Sequence, residues 1–185
     1  MENKVDEKKF GMLDKFGMIF SDPKNFFKKI KSEKNVGNSL LMYVLVSIVV
    51  GVGSFFSYSI IMPRANMFFG IFAGFTFSFF ILGAILTFVY SGIIHLLLSF
   101  TKKDIHYVDT YNVLTYSLVP AIAFSIIPFG SIAIIYSLVL TIIGISEVHG
   151  VSNGRASFVV LMPIFIFVSF LILIAFSFIM MFGLF

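Results

Sequence analysis

The charged residues of this chain occur in a few short blocks, and long uncharged stretches separate those blocks. After the first 34 residues the uncharged stretches lie at 35–63, 65–101, 110–146 and 156–185. A helix that crosses a bilayer needs about 20 mostly apolar residues, and every one of these stretches is longer than that. The chain is therefore predicted to be an all-α, polytopic integral membrane protein.

The stretch 110–146 is predicted to hold two helices. Pro128 and Gly130 lie at its middle, and proline with glycine typically forms a turn, which leaves about 18 residues on each side. The stretch 65–101 is too long for one upright helix and too short for two with a loop, so we predict one tilted helix there. The five predicted spans are 39–61, 69–99, 109–127, 130–147 and 157–183.

The basic residues are shared unevenly between the two sides of these spans. Twelve of the 13 lysines and arginines fall on the side of the N-terminus, and only Arg64 falls on the other side. Because basic loops stay in the cytoplasm, we predict a cytoplasmic N-terminus, an outside C-terminus and a multi-pass protein of the cell membrane. Its predicted parts are a cytosolic basic amphipathic tail at 1–38 and a five-helix transmembrane domain at 39–185.

Composition excludes several classes of protein. Only 12% of the residues are charged, against about 25% in a typical soluble domain, which excludes a soluble globular protein, a disordered chain and a nucleic-acid-binding domain. The chain has no cysteine, so it has no disulfide, thiolate metal ligand or thiol nucleophile. We expect no cofactor.

The tail contains a short basic amphipathic helix. Asp22 followed by Pro23 is typical of an N-cap and a first helical residue, and Phe26, Phe27 and Ile30 then share one face. Such a helix beside a span is predicted to lie on an anionic leaflet; a partner-binding or loosely ordered tail is the alternative. The lysines predicted to contact the lipid surface are Lys24, Lys28, Lys29 and Lys31.

One segment matches a pattern found in serine hydrolases. Residues Gly150–Gly154 fit G-x-S-x-G, which works as a nucleophile elbow only between a strand and a helix. Here the pattern joins two apolar helices, so we interpret it as a tight loop in which Ser152 caps the next helix.

Several histidines and acids lie near the predicted cytoplasmic ends of the spans, where they could act as metal ligands. They lack the close pairing of zinc ligands, so we predict no metal site and interfacial hydrogen bonding instead. His95 lies inside a predicted span, where an ionisable group is either functional or hydrogen-bonded to a neighbouring helix. Ser137, Thr141 and Gly144 share a face that would allow close helix packing.

A polar cluster is the candidate functional site. Asp109, Asn112 and Tyr116 recur at steps of three and four on the third span, and a polar face at that depth must meet another helix or water. Arg155 and Glu147 are predicted to form an ion pair, either as a structural clamp or as a docking surface. The candidate residues are Asp109, Asn112, Tyr116, Glu147, His149, Arg155 and His95.

Two parts of the chain resemble a known family. Residues Tyr111–Pro120, Ile126–Pro128 and Leu140–Pro163 resemble the second half of the Yip1 domain, and Phe20–Lys31 resembles its beginning. The resemblance implies a five-span α-helical protein with a cytosolic N-terminus. It is most specific across 111–163.

The resemblance also implies a non-enzymatic function. Eukaryotic members act in transport between the endoplasmic reticulum and the Golgi, assemble with one another and associate with Rab-type GTPases. The tail of this chain is short and lacks the Asp-Leu-Tyr-Gly-Pro type of motif, so it resembles the short prokaryotic members, and a small GTPase is not an expected partner. We expect a protein that organises anionic lipid, copies of itself or another membrane protein; the alternative is a small ion or solute permease that uses His95 and the polar face of the third span.

Overall fold

The computed structural model describes residues 11–61, 66–102, 104–124 and 131–183. These residues form seven α-helices and no strand, which confirms the all-α class. The predicted turn at 128–130 and Arg64 lie outside the described residues. The helices are α1 (Met12–Ser21), α2 (Pro23–Ile30), α3 (Gly37–Ile61), α4 (Asn66–Ser99), α5 (Tyr107–Ala123), α6 (Ser131–His149) and α7 (Asn153–Phe182).

Each predicted span coincides largely with one of the helices α3 to α7. Over the described residues, three apolar segments are long enough to cross a bilayer: Phe80–Ser99, Ile132–His149 and Asn153–Met181. The chain is therefore a helical membrane protein, and the number of five crossings stays a prediction.

Helix α5 forms the centre of the bundle and packs against α3, α4 and α6. It is the most polar of the five long helices, yet 11 of its 17 residues are buried and none is exposed. Small polar side chains such as Thr110 and Ser117 allow neighbouring helices to approach closely, and the Ser117 hydroxyl donates to the Val113 carbonyl one turn back at 2.7 Å. The polarity of α5 thus serves packing inside the protein.

Helix α7, at the outside of the bundle, is apolar and exposed where α5 is polar and buried. Side chains at 165–181 of α7 are exposed on every side and almost all apolar. A helix that is apolar all round is stable only inside a protein core or a bilayer, so this part of α7 faces lipid.

The apolar face of the tail is buried against the protein, and the contact of its lysines with an anionic leaflet stays a prediction. Helices α1 and α2 pack on α5 and α6, with Phe26 and Phe27 fully buried and Ile30 almost so. The predicted cap is present, because the Asp22 carboxylate accepts a hydrogen bond from the backbone N–H of Asn25 at 3.2 Å. The apolar face fits the protein because α6 offers a groove there at Gly144.

Candidate functional site

A buried ion pair attaches the tail to the centre of the bundle. The Lys15 ammonium of α1 contacts the Glu33 carboxylate, which follows α2, and donates a hydrogen bond to the Tyr116 hydroxyl at 3.0 Å. That hydroxyl in turn donates to the second oxygen of Glu33 at 2.9 Å. Lys15 is only 5% exposed, so each charge depends on its partner to offset its desolvation. We call Lys15, Glu33 and Tyr116 the tail anchor.

One turn away on the same face of α5, Asn112 makes further hydrogen bonds to residues just before and at the start of α3. Ser39, at the start of α3, donates to the Asn112 side-chain oxygen at 2.6 Å. The Asn112 amide then donates to the backbone carbonyls of Glu33 at 3.0 Å and Asn35 at 3.4 Å. The polar face of α5 therefore contacts the segment between α2 and α3. This agrees with the expectation that a polar face within a membrane span must meet protein or water.

Aromatic rings pack beside the tail anchor. Phe26 meets the Tyr116 ring edge to face, with centroids 5.2 Å apart. Phe20 stacks on Tyr136 at 6.3 Å and lies edge-on to Phe124 at 5.7 Å. The tail thus extends along α5 and α6 as far as the end of α5.

A second polar contact joins the ends of three other elements. His149, 3% exposed at the end of α6, shares a hydrogen bond with Thr110 of α5, with 3.1 Å between Nε2 and Oγ1. The Lys102 ammonium, just after α4, donates to the His149 carbonyl. A cation at a helix C-terminus interacts favourably with the helix dipole and its last carbonyls, so this contact fixes the α4–α5 connection against α6.

The predicted Arg155–Glu147 pair is wrong. Glu147 lies 3.9 Å from the ammonium of Lys28 of α2, while Arg155 is exposed. The reason is that the tail, whose docking could not be predicted from the sequence, brings its own cation to Glu147. Asp109 is half-buried near the start of α5 and does not join the tail anchor through any hydrogen bond of the described residues.

His95 belongs neither to the tail anchor nor to the polar contact at His149. Its ring meets Tyr107 edge to face at 5.8 Å, and its buried Nδ1 has no hydrogen-bond partner among the described residues. Over the same residues no group of three or more histidines and acids lies close enough to hold a metal ion.

The G-x-S-x-G segment is a loop between helices. Gly150 has φ of +62° and ends α6, with the Val151 N–H bonded to the Ser146 carbonyl at 3.2 Å as in a Schellman motif. The Ser152 hydroxyl oxygen accepts from the Arg155 N–H at 3.4 Å and caps α7. Ser152 therefore serves as a helix cap, as predicted.

The sequence patterns indicated Asn112, Tyr116 and His149 but missed Lys15 and Glu33. One signal was present: Lys15 precedes Ile19 by four residues, which places a lysine on the buried face of α1. No comparable signal marks Glu33, because it lies in the non-helical segment between α2 and α3.

The bundle with its lipid-facing α7 defines a multi-pass helical membrane protein. A family model, the Yip1 domain, matches residues 16–177. The chain belongs to the Yip1 domain family, which is not known for enzymatic activity, and the match includes most of the docked tail. No curated protein and no solved structure matched the chain.

Proposed function

We propose that this protein is a non-enzymatic scaffold of the cell membrane that gathers anionic lipid and partner membrane proteins. In this proposal the five helices α3 to α7 lie in the membrane, with the N-terminus in the cytoplasm and the C-terminus outside. The partner is a second copy of the chain or another membrane protein. Membership of the Yip1 domain family supports the proposal.

The observation that carries it is the division of α2 into two faces. Its aromatic side chains are buried in the bundle, whereas its lysines, with the lysine that follows it, are exposed: Lys24, Lys28, Lys29 and Lys31. A docked tail holds these charges in fixed positions, and each lysine near an anionic leaflet contributes about 1 kcal/mol. The tail is thus suited to contact headgroups through charge, without inserting its apolar face.

Lipid enrichment can be measured on the intact protein. The full chain, labelled with a donor dye and reconstituted in phosphatidylcholine vesicles, receives traces of phosphatidylglycerol carrying an acceptor dye. We expect energy transfer above the level given by acceptor-labelled phosphatidylcholine, and we expect the excess to fall as salt rises. Replacing the four lysines by glutamine should remove it.

A matched control distinguishes the lysines from the apolar face. Replacing Leu13, an apolar side chain that is 88% exposed on α1, by glutamine should leave the energy transfer unchanged, because the proposed lipid contact depends on charge. Transfer that depends on Leu13 and not on the lysines would contradict the charge-based contact.

Partner gathering needs a separate experiment. Crosslinking in native membranes, followed by capture of the full chain, should yield a reproducible membrane-protein partner, including a differently tagged copy of the chain. The four-lysine variant should capture less of it. Capture of no protein by either form would contradict the scaffold.

The permease alternative receives little support from the geometry. The polar face of α5 that would line a pathway is hydrogen-bonded to the tail and to Ser39. Reconstituted protein should therefore show no saturable ion or solute flux, and a flux that His95→Ala abolishes would favour the permease.

A further inference from the structure

A cavity of about 300 Å³ lies between α4, α5 and α6, on the side of α5 away from the tail anchor. Its walls are mostly apolar, and no charged side chain lines it among the described residues. Ile134, at its rim, is 57% exposed and belongs to a segment long and apolar enough to cross a bilayer. A membrane-dissolved molecule can therefore reach the cavity without crossing water.

Four side chains with a hydroxyl group line this cavity, and three of the hydroxyls already donate a hydrogen bond. Thr87 donates to the Gly83 carbonyl at 2.7 Å, Thr141 to the Ser137 carbonyl at 2.9 Å, and Tyr90 to the Val160 carbonyl. Each hydroxyl oxygen can still accept a hydrogen bond. The wall is thus a set of acceptors within an apolar lining.

The fourth hydroxyl, that of Ser137, is different. Ser137 is 3% exposed, and its oxygen has no hydrogen-bond partner within the described part of the chain. A buried hydroxyl without a partner is destabilising, although a serine in a helix can usually donate to the carbonyl one turn back. Ser137 therefore has an unused donor at the wall of the cavity.

We propose that this cavity binds a neutral membrane lipid that carries an uncharged oxygen, a hydroxyl or a carbonyl. Its chain lies along the apolar wall formed by Leu114 and Leu138, and its oxygen accepts from Ser137. A hydroxyl on the lipid can in addition donate to Thr141 or Thr87. The lack of lining charge disfavours an anionic headgroup, whose burial without a counter-charge is costly. This binding is independent of the scaffold function.

The test uses the full chain in phosphatidylcholine vesicles and three probes with the same photoactivatable diazirine chain. The probes are a diacylglycerol, an alkane without oxygen and a phosphatidylglycerol. We expect the diacylglycerol to crosslink most strongly, within peptides that cover 114–121 and 134–141. Equal crosslinking by the phosphatidylglycerol would contradict the proposal that the cavity selects a neutral lipid.

Two variants test the site itself. Ser137→Ala keeps the space but removes the donor, and should reduce diacylglycerol crosslinking roughly two- to tenfold, the effect of one hydrogen bond, with no effect on the alkane. Ala121→Phe should fill the cavity and reduce crosslinking of both probes. The matched control is Ala84→Phe, which occupies the apolar groove between α3 and α4 and should change neither.

The proposal is wrong if Ser137→Ala leaves diacylglycerol crosslinking unchanged in protein that remains monodisperse. It is also wrong if Ala84→Phe reduces crosslinking as much as Ala121→Phe does. Because Ser137→Ala alters only one oxygen, it stays informative even where the larger phenylalanine disturbs folding.

Discussion

Gly144 is the residue at which α2, α5 and α6 come closest. A Cβ atom there would lie 2.5 Å from a Val113 methyl and 2.8 Å from the Phe27 ring. Gly144→Ala should therefore reduce the free energy of unfolding by about 1–3 kcal/mol, the usual effect of overpacking. Chemical unfolding in mixed micelles measures this.

Gly92 provides the control for that prediction. It also lies within a long helix, but a Cβ atom there would meet nothing within 4 Å. Gly92→Ala should leave stability unchanged or raise it by up to about 1 kcal/mol, because alanine favours the helix. Equal effects at the two positions would mean that close packing at Gly144 does not hold the tail.

The tail anchor gives a second prediction. Lys15→Met leaves Glu33 without its cation, and loss of one partner of a buried pair should reduce stability by on the order of 3 kcal/mol. Hydrogen exchange of segment 12–33 should rise with it. Lys15→Met combined with Glu33→Gln should be less destabilising than the sum of the single changes.

The exposed pair on α2 is the matched comparison. Lys28 is 61% exposed in its contact with Glu147, and such pairs contribute at most about 1 kcal/mol. Lys28→Met should thus have a small effect on stability. A loss as large as that of Lys15→Met would contradict the view that burial distinguishes the two pairs.

The partners of α5 show what could not be predicted at this scale. Asn112 and Tyr116 were indicated by their spacing, which is local information. Their partners, Glu33 and Lys15, lie 83 and 101 residues from Tyr116 in the sequence, and no periodicity connects such distant positions. The Arg155–Glu147 prediction failed for the same reason, because it considered only neighbours in sequence.

At the scale of the element, α2 depends on the charge of Asp22. The Asn25 side chain and then its backbone N–H donate to that carboxylate and lower its pKa below the ordinary value of 3.8. The group therefore stabilises α2 fully at neutral pH, and the contribution is lost as pH falls through the lowered pKa. Once exchange is corrected for its intrinsic pH dependence, the protection of residues 23–30 should fall in acid.

Two substitutions test that dependence. Asp22→Asn keeps a capping oxygen without a titrating charge, so its exchange should lack the acid-dependent step. Asp22→Ala should raise exchange at every pH, since alanine is a poor cap. An acid step of equal size in the asparagine variant would assign the effect to other carboxylates.

Caps and turns were the elements best predicted from the sequence. Asp22-Pro23 and Gly150 to Ser152 act through hydrogen bonds over two to five residues, so the local sequence contains all the necessary groups. The placement of α1 and α2 was not predictable in this way. A basic amphipathic helix has the same sequence pattern whether its apolar face meets lipid or protein. Here the apolar face packs on the protein because α6 has a groove at Gly144.

At the scale of the whole molecule, the prediction concerns which residues face each side of the membrane. The chain has no cysteine, so single cysteines can be labelled without a background. If α5 and α6 both cross the bilayer, Ser131→Cys should react with an impermeant reagent only from outside. Asn153→Cys, at the first residue of α7, should react only from the cytoplasm.

The opposite result would have a clear structural meaning. Cytoplasmic labelling of Ser131→Cys would show that α5 and α6 enter and leave the membrane through the same face. The number of crossings would then be three, and the two termini would still lie on opposite sides.

The unequal lengths of the helices have a consequence for the surrounding bilayer. Helix α5 has 17 residues and extends about 26 Å, whereas α7 has 30 residues and extends about 45 Å. A hydrocarbon layer of about 30 Å cannot match both in an upright bundle. Lipid beside the short helices must thin, or α7 must tilt, at an energy that depends on local thickness. We therefore expect the protein to concentrate in membrane regions whose thickness lowers this energy, without a receptor that directs it there.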